Sequence, residues 1–303
     1  MQLSEIISKL ENSNGKLPRQ ALERAIEERE AITPLLLDVL SNSKNNLEEL
    51  SNRPDYILHI CALYLLAQFR ELSAYPLIID FFSIPGDMPV DTTGELVGGD
   101  LARILASVCH GNIEPIKQLI ENKKVNAWIR ASALDSLIVL VVQGIISREQ
   151  IIEYYKELYD TLFANEYYVP LVKEKSDYNI WTALVSNSSM LAPVELQRYI
   201  ERTFNDGLIL PFYFEQQDFE ELLKVGWETT LNKLRNDILY SLIEDAISGV
   251  KSQLFWIFPS KQTRNNLTEI QGFSNSSKKS KSKAKNKKKI QQESRRKNRS
   301  KKK

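Results

Sequence analysis

The chain has 303 residues, 43% of them hydrophobic, which is enough for one large folded domain or two small ones. No apolar run approaches the roughly 20 residues of a membrane-spanning helix, and the two cysteines cannot form a disulfide framework. We therefore expect a cytoplasmic protein with no transmembrane segment.

Charge is distributed unevenly along the chain. The last thirty residues, 274–303, contain fifteen Lys and Arg and a single acid, Glu293. Removing them from the totals of 40 basic and 39 acidic residues leaves 25 and 38, so residues 1–273 carry a net charge near −13 and the last thirty near +14. This separation indicates that the basic segment contacts a polyanion or the acidic part of the chain itself.

Residues 1–260 predict an all-α fold. Apolar residues recur at spacings of three and four, as in the stripes 57–65 and 134–141, and strand-type alternation is almost absent. Thr33 with Pro34 fits an N-cap followed by a first-turn proline, Pro193 repeats that pattern, and Ser147 with Gln150 fits a capping box. Helix ends are expected at Gly111, Gly144 and Gly207.

Neighbouring helices pair into units of similar length. The units begin near Pro18, Pro54, Leu96, Asn126, Tyr178 and Glu215. Their mean spacing is close to the roughly 40-residue period of HEAT and armadillo arrays, in which stacking buries the apolar face of each unit. We predict a HEAT/armadillo-like array of antiparallel helix pairs over residues 1–260, a linker over 261–273 and a disordered tail over 274–303. An irregular helical domain is the alternative.

The segment from Ile84 to Asp100 interrupts this pattern. It contains two prolines and four glycines, which predict a loop. Its acids could surround a divalent cation, although no EF-hand order is present; they are Asp87, Asp91, Glu95 and Asp100. An N-cap role for Asp100, with Gly98 and Gly99 as the preceding turn, explains that end of the segment equally well.

The two histidines each lie near a cysteine. His59 is two residues before Cys61, and Cys109 directly precedes His110. Four such ligands could surround zinc, but the spacing matches no zinc module and Cys61 falls on an apolar stripe, so buried thiols are favoured. We predict no catalytic residue, no metal site and no cofactor.

Several other residues have structural interpretations. Arg130, inside an apolar helix, is expected to pair with a carboxylate, because a buried arginine needs compensation. Trp181 and Trp227 are expected to pack between helices. Residues 254–258, which include Phe255 and Trp256, are expected to cover the last helix pair or to act as a docking peptide.

The tail is the strongest functional signal. Its cationic side chains would release counterions from RNA or DNA, and the absence of aromatic residues predicts contact without sequence selectivity. The predicted nucleic-acid-binding residues are Lys278, Lys279, Lys281, Lys283, Lys285, Lys287, Lys288, Lys289, Arg295, Arg296, Lys297, Arg299, Lys301, Lys302 and Lys303. Pairing with the acidic part of the chain and binding to an anionic membrane are the alternatives.

Several separated motifs resemble a bacterial domain-of-unknown-function family, DUF1186. They are Leu17-Pro18, Ala21-Leu22, Pro34-Leu35-Leu36, the run HICALYLLAQFR at residues 59–70, Ala74-Tyr75-Pro76, Pro85-Gly86-Asp87, Gly99-Asp100 and Trp181. The resemblance covers about residues 3–210 and implies an all-helical, HEAT-like fold with no assigned activity and no catalytic residues. Family members often end in a cysteine-rich zinc module with a basic stretch; no cysteine follows Cys109 here, and the lysine-rich end is a hypothetical substitute.

These observations favour a non-catalytic binding or scaffold protein. Its concave surface would hold an unidentified protein segment, and its tail would contact nucleic acid or the ribosome, plausibly through ribosomal RNA. The alternative is an enzyme or a small-molecule or cation binder that uses the segment from Ile84 to Asp100.

Overall fold

Apolar residues at helical spacing form helices throughout the described part of the chain. A computed structural model describes residues 1–166, 175–191, 194–209 and 213–258. These residues form seventeen α-helices and no β-strand, so the predicted all-α class is confirmed. The linker and the tail, residues 261–303, lie outside the described residues, as does Pro193.

In chain order the helices are α1 (Leu3–Glu11), α2 (Arg19–Glu27), α3 (Arg29–Asn45), α4 (Leu47–Ser51), α5 (Leu58–Gln68), α6 (Ala74–Phe82), α7 (Met88–Thr93), α8 (Leu96–Gly99), α9 (Leu101–Val108), α10 (Glu114–Glu121), α11 (Ala127–Val142), α12 (Arg148–Glu166), α13 (Lys175–Met190), α14 (Gln197–Asn205), α15 (Gln216–Val225), α16 (Trp227–Arg235) and α17 (Ala246–Ile257). Two short 3-10 helices are Val194–Leu196, before α14, and Ile238–Tyr240, between α16 and α17. None of the helices in this part of the chain has the length and apolar character to cross a membrane.

The helices α5 and α11 are apolar on every face. Ten of the eleven residues of α5 and thirteen of the sixteen residues of α11 are buried. A helix of this kind has to be covered on all sides. α9 packs against both of them, α3 packs against α5, and α13 packs against α11. These five helices form a row through the core.

Other helices cover this row. α10 packs against α6 and α11, while α1, α2 and α17 all pack against α5. α17 therefore returns from the C-terminal end of the described chain to helices near its beginning. In a HEAT or armadillo array each repeat contacts only its neighbours. The predicted repeat array is not confirmed by this arrangement.

Most of the predicted helix boundaries are confirmed. Gly111, Gly144 and Gly207 all have positive φ angles just after α9, α11 and α14. The hydroxyl of Ser147 accepts a hydrogen bond from the backbone N–H of Gln150 at 3.1 Å, at the start of α12. These boundaries depend on local backbone chemistry, which short sequence patterns carry.

The predicted helix start at Thr33 and Pro34 is wrong. α3 begins at Arg29 and runs through Pro34, and the Thr33 hydroxyl donates to the carbonyl of Arg29 instead of capping. Ile32 and Leu36 are both fully buried on one face of α3. Their burial on either side of the proline favours a continuous helix over the break that proline alone would cause.

The predicted loop between Ile84 and Asp100 is also wrong, because it contains α7 and α8. Pro89 lies in the first turn of α7, where its missing N–H leaves no helical bond unmade. Gly94, with a φ of 57°, ends α7, and Gly98 and Gly99 are part of α8. Asp100 stands at the N-cap position of α9 but makes no side-chain capping bond.

Residues 254–258 belong largely to α17 and do not cover the last helix pair. Leu254 is buried on the side that packs against the row, whereas Phe255 and Trp256 are about half exposed. Gly249 allows close approach: an added Cβ would lie 2.3 Å from Cε1 and 2.4 Å from Cδ1 of Tyr64, whose side chain is fully buried on α5.

Substitution of Gly249 tests the packing of α17 on α5. We expect Gly249→Ala to lower the free energy of unfolding by about 1–3 kcal/mol, because the new methyl group overpacks the contact with Tyr64. Urea unfolding followed by circular dichroism measures the change.

Gly98→Ala is the matched control. Gly98 is also helical, but an added Cβ there would meet no atom within 4 Å. We expect Gly98→Ala to leave stability unchanged or to raise it by up to about 1 kcal/mol. Equal destabilisation by the two substitutions would contradict the close packing of α17.

Candidate functional site

The histidines and cysteines do not form a metal site in the described part of the chain. Cys61 and Cys109 are free, buried thiols, as predicted, and burial raises the pKa of Cys61 to about 12. His59 Nε2 lies 2.9 Å from the carbonyl oxygen of Thr92. Among the described residues, no group of three or more His, Cys, Asp or Glu side chains could hold a metal ion.

The acids between Ile84 and Asp100 are also dispersed. Asp87 accepts a hydrogen bond from the side-chain amide of Asn126 at 2.7 Å, where α11 begins. Asp100 instead interacts with Tyr64 and Arg103. The described structure therefore does not gather Asp87, Asp91, Glu95 and Asp100 around one point.

The other residues singled out from the sequence have packing roles. Arg130 is buried and donates from Nε to the carbonyl of Ile120 at 2.7 Å, near the end of α10. Trp181 is 2% exposed and packs 4.8 Å, centroid to centroid, from Phe163. The Arg148 guanidinium lies 5.6 Å from the ring centroid of Trp227.

A segment between α16 and α17 crosses the row of core helices. We call residues 237–246 the strap. The Gln143 amide, just after α11, donates to the carbonyl of Tyr240 at 2.9 Å. Arg103 on α9 donates from Nε to the carbonyl of Ser241 at 3.0 Å and from Nη2 to that of Leu242 at 3.3 Å. Side chains of two core helices thus hold three successive carbonyls of the strap.

Further along, the strap is bonded to α9 and to the end of α5. The Ser107 hydroxyl accepts from the N–H of Ile243 at 2.9 Å, and Arg70 donates to the carbonyl of Ile243 at 2.7 Å. Gln68 then accepts from the N–H of Ala246 at 2.7 Å. Because the contacted atoms, apart from the Ser241 hydroxyl, belong to the main chain, this surface can hold an extended segment with little dependence on its side chains.

Arg103 is fixed in place by a chain of polar contacts. Its guanidinium lies 2.5 Å from the Asp100 carboxylate, which also accepts from the Tyr64 hydroxyl at 2.7 Å. Gln253 on α17 donates to the same hydroxyl at 3.2 Å. Burial and the neighbouring Asp100 raise the pKa of Tyr64 well above its usual range, so the phenol remains a donor. Arg103 is therefore preorganised to bind carbonyls.

Arg70 has an unusual backbone. Its φ is 56° and that of His110 is 49°, in the left-handed region that residues other than glycine rarely occupy. His110 Nε2 lies 2.8 Å from the carbonyl oxygen of Arg70, so the two residues support each other. This turn directs the Arg70 guanidinium to the strap.

A cavity of about 350 Å³ adjoins the strap, between α9, α11 and α13. Asp135 and Asn187 lie in its wall, with the Asn187 amide donating to Asp135 Oδ1 at 2.8 Å. Burial raises the pKa of Asp135 to about 6, and the hydrogen bond from Asn187 offsets part of that rise. Among the described residues, those that line the cavity include no Lys, Arg or His.

Aromatic residues and glycines shape this cavity. Trp128 and Tyr213, which are 47% and 61% exposed, line it together with Tyr240 of the strap. Gly98 and Gly99 also belong to the lining, and an added Cβ at either would meet no atom within 4 Å. Both glycines also line a larger cavity of about 820 Å³ that extends toward α17.

Sequence reasoning overlooked both Asp135 and Arg103. The available signal was a charged residue within a largely apolar helix, the same signal that singles out Arg130. The partners could not be read from the sequence, because Asn187 and the strap carbonyls are about 50 and 140 residues away.

A family described as protein of unknown function (DUF1186) matches residues 1–256. The chain belongs to the DUF1186 family. An uncharacterized protein of Chlamydia trachomatis serovar D is 36% identical over 256 residues, covering 84% of this chain and 96% of the relative. One from Chlamydia muridarum is 35% identical over 256 residues, covering 84% and 97%. No solved structure matches the chain.

The predicted family resemblance is therefore confirmed. The DUF1186 match reaches residue 256, and so it includes the strap, the cavity and nearly all of α17. The basic segment at 274–303 lies beyond the residues that the DUF1186 family matches.

Removing the charge of Asp135 tests its burial. Since its pKa is raised from 3.8 to about 6 in the folded protein, the folded state binds this proton more tightly than the unfolded chain. The resulting stabilisation is complete below about pH 4 and is lost as the pH rises through 6. We expect Asp135→Asn to raise the free energy of unfolding at pH 8 by at most about 3 kcal/mol. Unfolding in urea at pH 8 and pH 5 should show the gain shrinking at the lower pH.

Asp38→Asn is the control for that measurement, since Asp38 is an exposed residue of α3 outside the cavity. It should leave the difference in stability between pH 8 and pH 5 close to that of the unsubstituted chain. An identical pH response for Asp135→Asn and the unsubstituted chain would contradict the raised pKa of this carboxyl group.

Proposed function

We propose that this DUF1186 protein is a non-catalytic binding protein whose helical body holds an extended segment of another protein. The observation that carries the proposal is the strap, whose main chain is bonded by side chains from α5, α9 and α11 and from the residues that follow them. We call the surface beneath the strap the groove.

The groove has the chemistry of a peptide-binding surface. Arg103 and Arg70 donate to carbonyls, whereas Ser107 and Gln68 accept from main-chain N–H groups. The groove thus offers donors to carbonyls and acceptors to N–H groups of the segment, and a bound extended backbone needs both. Such contacts give affinity without demanding one side-chain sequence. The proposal extends to a HEAT-like body with the groove as its concave surface, as the predicted repeat spacing suggests.

The strap is then the intramolecular competitor of the partner. A tethered segment acts at an effective concentration in the millimolar range for a short linker. A partner must bind the groove more favourably than the tethered strap does, so binding is restricted to segments that make additional contacts. Buried cysteines fit a reducing compartment, and we propose that this binding takes place in the cytoplasm.

Loosening the strap tests the groove. Ile243 is 1% exposed, so Ile243→Glu in the full chain should release the strap, because a buried carboxylate without a partner is strongly disfavoured. A fluorescent peptide of residues 237–246 should then bind this opened chain at least tenfold more tightly than the unsubstituted chain, as measured by fluorescence anisotropy.

The controls separate groove binding from nonspecific attachment. Adding Arg103→Ala to the opened chain should weaken peptide binding at least tenfold, because hydrogen bonds from a charged group contribute about 1.5–3 kcal/mol. Arg202→Ala, on α14, should have no such effect. Equal binding by the opened and unsubstituted chains, or unchanged binding after Arg103→Ala, would rule out the groove as a peptide site.

We also propose that the tail attaches the protein to nucleic acid, plausibly ribosomal RNA. The support is the charge of residues 274–303, with fifteen cationic side chains and one acid. The acidic charge of residues 1–273 disfavours contact of the rest of the chain with the same polyanion. Attachment of this kind is driven by counterion release and is steeply salt-dependent.

Filter binding to RNA at 50 and 200 mM salt tests the tail. Between these concentrations, a protein that makes some six phosphate contacts loses about 10³-fold in affinity. The full chain should show that loss, and a chain lacking residues 274–303 should bind weakly at both concentrations. A chain with all fifteen cationic residues changed to Gln is the control for length. The tail has no such role if the Gln chain retains both affinity and salt dependence.

The alternative of an enzyme or a small-molecule binder at residues 84–100 is favoured by one observation alone. Gly98 and Gly99 of α8 line both cavities. Any small-molecule site that involves this segment is therefore expected at those glycines and not at the dispersed acids.

A further inference from the structure

We propose that the cavity between α9, α11 and α13 binds an alkyl amine or alkyl guanidinium, with the cationic group at Asp135 and the methylene chain against Trp128 and Tyr213. The proposal does not rest on the peptide groove, although Leu239 and Tyr240 of the strap line the cavity. The same chemistry is offered by a free amine and by a Lys or Arg side chain of a protein.

The size of the cavity fits such a ligand. Its volume of about 350 Å³ is at the lower end of the range for ligand pockets, about 300–1,000 Å³. Gly98 and Gly99 help to keep it open, since neither projects a side chain into the space beside them. A linear ligand of a few carbon atoms matches this volume.

The charge within the cavity selects a cation. Within the part of the chain that the structure describes, Asp135 is the carboxylate of the lining, and no Lys, Arg or His lines the cavity to neutralise it. Asn187 occupies one acceptor position on Oδ1 and orients the group. A carboxylate has about four acceptor sites, so a cationic donor can bind beside the Asn187 amide. In a partly dehydrated site such a charge-assisted bond is stronger than in water.

The titratable groups on the surrounding elements do not compete for this role. Burial raises the pKa of Tyr240 on the strap to about 12 and raises that of Tyr155 on α12 well above 10, so both remain neutral. Arg103 and Asp100 of the neighbouring cavity pair with each other, and Asp237 at the start of the strap adds further negative charge. From α13, the cavity is lined by the neutral residues Asn179, Thr182, Ala183, Ser186, Asn187 and Met190.

The aromatic residues complete the site. The backbone N–H of Trp128 donates to the side chain of Asn126 at 2.8 Å, which fixes the tryptophan in the first turn of α11. Its indole is 47% exposed while it also lines the cavity. Exposed indole and phenol rings attract organic cations and cover methylene groups, and together these contacts favour a charged head on a short apolar chain.

Calorimetric titration of the full chain at pH 8 tests the proposal with agmatine, pentylamine and the neutral analogue 1-pentanol. We expect the two cations to bind at least tenfold more tightly than pentanol. Asp135→Asn should weaken agmatine binding at least tenfold, whereas Asp38→Asn should not change it. Agmatine affinity should fall below pH 6, by up to about tenfold per pH unit, as Asp135 becomes protonated.

A second variant and a pair of peptide ligands complete the test. Gly98→Leu should block binding by filling the cavity while leaving Asp135 in place, and thermal unfolding checks that both variants are folded. A blocked Gly-Lys-Gly peptide, compared with its Nε-acetylated form, shows whether a protein side chain can be the ligand. Binding of any probe that requires both its positive charge and Asp135 supports the site. Equal affinity for agmatine and pentanol, unchanged binding by Asp135→Asn, or no binding of any cation at 10 mM would overturn it.

Discussion

The architecture depends on the requirement that α5 and α11 be covered on every face. Their apolar residues leave no side that can face water without a large loss of hydrophobic free energy. Neighbouring helices along the chain cover only part of this surface. The rest is covered by the strap and by α17, which is why the C-terminal part of the described chain crosses back over helices formed near its beginning.

An irregular segment that covers apolar helices brings main-chain polar groups to a surface where they need hydrogen-bond partners. Apart from the 3-10 helix Ile238–Tyr240, the main chain of the strap is irregular, and its carbonyl and N–H groups need partners outside the strap. Arg103, Ser107 and Gln68 supply them from the helices that the strap covers. A buried arginine is itself costly to dehydrate, and the Asp100 carboxylate beside it offsets that cost. The polar contacts of the strap thus follow from the apolar character of the core.

Short sequence patterns predicted the features that depend on neighbouring residues, namely helices and helix ends. The helical spacing of apolar residues, the glycine at the end of α11 and the Ser147 cap all depend on a few neighbouring residues, and the structure bears them out. Pro34 and the segment beginning at Ile84 were misread because burial against distant helices outweighed the local preference. In both places a residue that breaks an isolated helix is tolerated within a packed one.

The candidate sites were beyond prediction for a related reason. A cavity exists where side chains from separate helices leave space between them unfilled. It therefore cannot be predicted from the sequence of any one segment. Asp135 stood in the sequence as one acid in an apolar helix, but its partner Asn187 and the aromatic lining come from elsewhere in the chain. Membership of the DUF1186 family does not identify these sites either, because the family is described as a protein of unknown function.

The strap connects the two sites physically. Leu239 and Tyr240 line the cavity, and the carbonyl of Tyr240 is the first one held by the groove, through Gln143. A ligand that packs against those side chains stabilises the strap in its bound position by its own contact free energy. By reciprocity, a peptide that displaces the strap removes part of the cavity wall and weakens the ligand by the same factor. Occupation of the cavity and release of the strap are therefore opposed, and a cation bound at Asp135 would regulate how readily the groove opens.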